Sequence, residues 1–197
     1  MLTATYTLVA LSVEQASVRV SLQSLQQLLQ SNFIHQSALN QGQVSYACDA
    51  VRRIYESCHW RKLDMFLIPA IRKATRHADS LLDDLEELGR AAADAVGVLA
   101  IRLGSVPVDT AAKVGQFCAT IDAFCAATLK RIDLEERQLF PVARSFISGE
   151  AWFSIANQML DHDAYVADCK PSRHPVQFED APYEQARQQR IAANLVH

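Results

Sequence analysis

Apolar side chains recur at steps of three and four through most of the chain, and no other feature constrains the fold as tightly. The first stretch carries Leu8, Leu11, Gln15, Val18, Leu22, Leu25 and Leu29 on one stripe. A second runs from Val44 through Tyr55, His59, Leu63 and Phe66. The third holds Leu82, Leu85, Gly89, Ala92, Val96, Leu99 and Leu103, and the fourth Val114, Cys118, Ile121, Cys125, Thr128, Ile132, Glu135 and Leu139. Polar residues from Ser31 to Gly42 separate the first two stretches, and Gly104, Pro107 and Asp109 precede the fourth. There is no sustained alternation and no Asn-Gly hairpin signal. Four long amphipathic stretches joined by shorter connections predict an all-α, up-down-up-down four-helix bundle.

A shorter helix is expected over about Glu150 to Leu160 with Ser148 as its N-cap. Asp161-His162-Asp163 then reads as a solvated turn at that helix end. Beyond Asp168 come Pro171, Pro175 and Pro182, so residues 1–168 are read as the bundle plus the short helix and 169–197 as a C-terminal appendage. With 197 residues, 50% of them hydrophobic, the chain can bury one good core. A net charge of −3 leaves no basic footprint for nucleic acid. No apolar run reaches the ~20 residues of a membrane span. The N-terminal stretch lacks a basic region and meets Glu14 early, which argues against a signal peptide and for the cytoplasm. Cys48, Cys58, Cys118, Cys125 and Cys169 are odd in number and show no CxxC spacing, so they read as reduced core thiols rather than as disulfides or a zinc knuckle.

The chain repeats itself internally. Asp64-Met-Phe-Leu67-Ile68-Pro69-Ala-Ile-Arg72 parallels Glu136-Arg-Gln-Leu139-Phe140-Pro141-Val-Ala-Arg144, with acid, Leu, Pro and Arg at matching offsets 72 residues apart (141 − 69). Each proline is expected to kink its helix or interrupt its ladder. The same alignment sets His59 opposite Arg131 and Leu63 opposite Glu135. A His and a Glu one turn apart are how helical bundles build metal sites. Here each half holds one member of such a pair.

These segments resemble the hemerythrin-like (HHE) family. His59-Trp-Arg-Lys62-Leu63-Asp64-Met-Phe-Leu67-Ile68-Pro69 is similar to the family's His-His-x-Lys-Glu-Asp-x-x-Leu-Phe-Pro segment. Arg131-Ile-Asp-Leu134-Glu135-Glu136-Arg-Gln-Leu139-Phe140-Pro141 is similar to its His-x-x-Leu-Glu-Glu-x-x-Leu-Phe-Pro segment. Leu85-Glu86-Glu87-Leu88-Gly89 looks like Leu-Glu-x-x-His with Gly89 at the His, and Glu14-Gln15 stands where the family has Glu-His. Ser148-Gly-Glu-Ala-Trp152 and Ile155 look like the short segment that follows. The match covers roughly residues 5 to 165.

In the family these positions hold a di-iron centre that binds oxygen or senses iron, oxygen or nitric oxide. The resemblance implies that this chain keeps His59 and Glu135 and replaces the remaining ligands with Gln15, Leu63, Gly89 and Arg131. One imidazole and one carboxylate do not hold two ions, and a guanidinium repels a cation beside it. The expectation is a non-enzymatic binding or regulatory protein with no cofactor, in which an Arg131–Glu135 pair, spaced i,i+4, joins His59 and Gln15 in a protein-only network. The alternative is an altered iron or oxygen site using His59 and Glu135, with Asp64, Glu14 or Glu86. Plainer readings stand beside these. His59 serves as a hydrogen-bonded core residue, Gly89 permits close helix approach, and Arg131 snorkels outward over Ile132. Asp64 and Glu136 are surface acids, and Cys118 and Cys125 fill the core. The expected partner is an unknown protein or small molecule, or a second copy in a homodimer, with neither nucleic acid nor membrane. No nucleophile–base pair or phosphate loop points to catalysis.

Overall fold

A computed structural model describes residues 2–57, 62–105 and 107–169, and among them the chain is all-helical, with no strand. Helix α1 spans Leu2–Leu28, α2 Gln41–Ser57, α3 Ile68–Ala74, α4 Asp79–Ser105, α5 Ala111–Leu134, α6 Phe140–Phe146 and α7 Gly149–Cys169. Three single π turns interrupt or extend this series, at Leu29–Phe33, Leu63–Leu67 and Glu135–Leu139. The chain divides into two units, Met1–Leu160 and Asp161–His197. Of the second unit, residues 161–169 are described and are helical. Cys58, His59, Trp60 and the appendage from residue 170 onward lie outside the described residues.

Each π turn sits where the inward stripe takes two successive steps of four: Leu25–Leu29–Phe33, Leu63–Leu67–Ile71 and Glu135–Leu139–Ala143, all buried. Eight residues of α-helix overshoot two full turns by about 80°. A π turn absorbs an extra residue and keeps all three side chains facing inward. The internal repeat is thereby a structural repeat. Ile68 donates its N–H to Leu63 O and Phe140 to Glu135 O, and each proline occupies the first turn of the short helix that follows. A missing N–H is harmless there, so the prolines sit inside continuous helical paths.

Capping fixes the other ends. Asn40 and Gln43 exchange side-chain and backbone hydrogen bonds at 2.9 Å in both directions, a reciprocal box opening α2. Thr110 Oγ1 accepts from Lys113 N at 3.3 Å to open α5, and Ser148 Oγ accepts from Ala151 N at 3.2 Å before α7. The first connection is shorter than the sequence suggested, because Phe33 is buried on the α1 stripe and draws helical structure past Ser31. The last helix is longer. Asp161-His162-Asp163 is helical rather than a turn, since Ala164 and Ala167 follow it and no breaker stands before Pro171. Leu39 N donates to Val108 O at 2.8 Å, tying the connection before α2 to the one before α5. Among the described residues the most extensive helix pairing is α4 against α5, followed by α2 against α4. Among the described residues, no helix is long and apolar enough to cross a membrane.

Candidate functional site

Two apolar clusters form the core. One collects Val18, Leu22, Val51, Ala92, Leu99, Ile121 and Cys125, and the other Leu8, Leu11, Leu63, Leu67, Leu82, Leu85 and Leu139. Position by position, the helices cross from one cluster to the other at the residues singled out from the sequence. Gln15 lies between Leu11 and Val18, Gly89 between Leu85 and Ala92, and Arg131 and Glu135 between Cys125 and Leu139. These residues form a polar layer across the molecule.

Within that layer Glu135 is fully buried and Arg131 is 4% exposed. Arg131 Nε donates to Glu135 Oε1 at 2.9 Å, and its Nη2 donates to Asp64 Oδ1 at 2.7 Å. Gln15, also fully buried, donates Nε2 to Glu135 Oε2 at 2.8 Å. Both carboxylate oxygens of Glu135 are therefore engaged, one by a cation and one by an amide. Burial pushes the Arg131 guanidinium down in pKa, but the charges and hydrogen bonds of Glu135 and Asp64 outweigh that and hold it above its ordinary value. The guanidinium is a fixed positive charge at every working pH. Gln15 Oε1 is buried without a hydrogen-bond partner. The amide is oriented by its N–H on Glu135, because the opposite orientation would set two oxygens against each other.

Gly89 makes the arrangement possible. A Cβ built there would overlap Arg131 Nη1, whereas one on Gly97 or Gly115 would meet open space. Arg131 therefore does not snorkel outward; its head group occupies the space beside the bare backbone of α4. Leu63 is fully buried against the second apolar cluster and contributes no polar atom. Asp64, the next residue, is half-exposed and reaches Arg131. The sequence offered it as a surface acid or as a ligand beside His59 and Glu135; it is a surface acid that reaches a buried cation, and a partner 67 residues away leaves no local signal.

Above this layer opens a cleft of about 650 Å³ lined by Tyr55, Asp64, Ile68, Pro69, Arg72, Leu82, Glu86, Gly89, Arg90 and Arg131. Glu86 lies 3.9 Å from Arg72 and 3.4 Å from Arg90, both loose and exposed pairs. Arg131 is the buried floor, and the other charges stand at the rim. Glu14 is engaged elsewhere, accepting from Lys62 Nζ at 2.5 Å. Glu136 pairs with Arg19 at 2.8 Å, and Arg19 also reaches Asp133 at 2.6 Å. These pairs tie α1 to the end of α5 and the π turn beyond it.

Among the described residues the donor set does not suit an iron pair. Among the described residues no group of three or more His, Cys, Asp or Glu is placed to hold a metal ion. Glu135, the one buried carboxylate among the described residues, is held by Arg131, and the more accessible acids Asp64, Glu14 and Glu86 each face a cation. Cys118 and Cys125 are buried in the first apolar cluster. Burial pushes the Cys125 thiol up to about 12, with the Asp122 charge adding to it, far from the thiolate that binds metal or attacks an electrophile. Compared with known proteins, the chain matches no family model, no curated protein and no solved structure, so its functional reading rests on these residues themselves.

Proposed function

We propose that this chain is a hemerythrin-like, up-down-up-down four-helix bundle in which Arg131 stands where the family holds metal, and that it works as a non-enzymatic binding or regulatory protein. One observation carries the reading: a buried guanidinium shared by Glu135 and Asp64 fills the polar layer where the family's ligands would converge. A cation is still present at the centre, but it is a side chain. Buried charges of this kind persist only when paired and hydrogen-bonded, and Gln15 completes that pairing. The bundle topology is supported by the tie between the connections before α2 and α5, and by the repeated π-turn–proline unit.

The cleft over Arg131 is lined by arginines, acids and apolar side chains, a surface suited to recognition of a partner or small molecule. Metal analysis of purified full-length protein from iron-supplemented cells, with an absorption spectrum alongside, tests the reading. The expected result is substoichiometric iron and no charge-transfer band. Two irons per chain overturn it. One tightly held ion transfers the case to the altered site built on His59 and Glu135.

A further inference from the structure

Helix α1 is apolar on two faces. Its inward stripe is buried, yet on the opposite side Leu2 is 72% exposed, Tyr6 70%, Val9 54%, Val13 65% and Val20 62%. With exposed Ala16 between the last two, the outward positions run 2, 6, 9, 13, 16, 20, alternating steps of four and three. That is a heptad seam held for two and a half repeats, on a helix with no charged residue before Glu14. Scattered exposed apolar residues need no explanation, but a contiguous row of this kind is the mark of an interaction surface.

We propose that this face of α1 pairs with the same face of a second copy of the chain, forming a two-fold dimer. The spacing and the even apolar character of the row suit a partner helix of the same kind. An a/d seam packs against another helix carrying the same seam, and under two-fold symmetry one stripe is its own complement. Charge agrees with self-pairing. The nearest charged groups are neutralised within the chain, Glu14 by Lys62 and Arg19 by Asp133 and Glu136, so two copies meet without like-charge repulsion. The seam offers on the order of a few hundred Å² of apolar surface per copy, near the lower bound for a specific dimer, so the pairing is reversible. The polar layer around Arg131 faces the other way and stays within each protomer.

Sedimentation of the full-length protein over a range of concentrations tests this, comparing wild type with Val9→Glu, Val13→Glu and the double variant. Both positions are exposed in the monomer, so thermal melting of each variant at low concentration is expected to match wild type. The wild-type protein is expected to move from monomer to dimer as concentration rises. Placing acids opposite their own copies weakens that dimer by roughly 100-fold or more. A wild-type protein that stays monomeric throughout overturns the proposal, as does a dimer that the double glutamate variant leaves intact. Binding of the wild-type monomer to phosphatidylcholine vesicles, lost in the same variants and without self-association, also overturns it in favour of a lipid surface.

Discussion

Room and charge meet at Gly89. A glycine inside a helix ordinarily costs about 0.5–1 kcal/mol relative to alanine, and both Gly89 and Gly97 lie inside α4. At Gly97 a Cβ meets nothing, so Gly97→Ala is expected to stabilise the protein by that amount. At Gly89 the new methyl displaces a guanidinium pinned by two carboxylates, so Gly89→Ala is expected to destabilise by about 1–3 kcal/mol despite its better helix propensity. Urea unfolding of the two variants side by side gives the comparison; equal gains in both would remove Gly89 from the site. The pairing of Arg131 with Glu135 was legible in the sequence because residues four apart share a helix face. Asp64 was legible as a candidate for the site but not as the partner of Arg131. It comes from another helical segment, and no periodicity distinguishes it from any other surface acid.

At the scale of elements, helix boundaries follow capping chemistry and the inward stripe. Thr110 supplies the side-chain oxygen that opens α5, the helix carrying Arg131. Thr110→Ala is expected to cost about 1 kcal/mol in chemical denaturation; no loss would mean that the cap is idle. The first and fourth stripes were readable from their spacing, and buried Gln15 and Glu135 fell on them as written; on the second and third, Tyr55, Phe66 and Val96 are only partly buried, and their neighbours Ile54, Leu67 and Ala95 face the core. The internal repeat was readable as a pattern, but its physical content, a π turn feeding a proline, was not. Its only trace is a pair of consecutive four-residue steps, which also occurs in ordinary helices. The extension of α7 past Leu160 escaped notice because Asp161-His162-Asp163 has turn-like composition, and alanines beyond it keep the helix going.

For the molecule as a whole, the core is two apolar clusters held across a polar layer, and its stability depends on charge states in both parts. Burial pushes the Cys48 thiol up to about 11 and Cys125 up to about 12, from an ordinary 9.0. Groups with raised folded-state values contribute stability that is complete below the unfolded value and is lost as pH rises through the folded one. Unfolding free energy is therefore expected to fall between about pH 9 and pH 12, and to fall less in Cys125→Ala; a flat profile in wild type would contradict the burial of these thiols. Arg131 itself, pushed down by burial but held above its ordinary value by Glu135 and Asp64, adds no pH dependence in the working range.

The polar layer is the part that most defines the molecule, and equilibrium unfolding of wild type, Arg131→Met and the double variant Arg131→Met/Glu135→Met tests it most directly. The single variant leaves the Glu135 carboxylate buried without its guanidinium and is expected to lose about 3–5 kcal/mol, while removing both charges recovers most of that loss. If Arg131→Met unfolds at the same denaturant concentration as wild type, the guanidinium is not the cation that holds this core together.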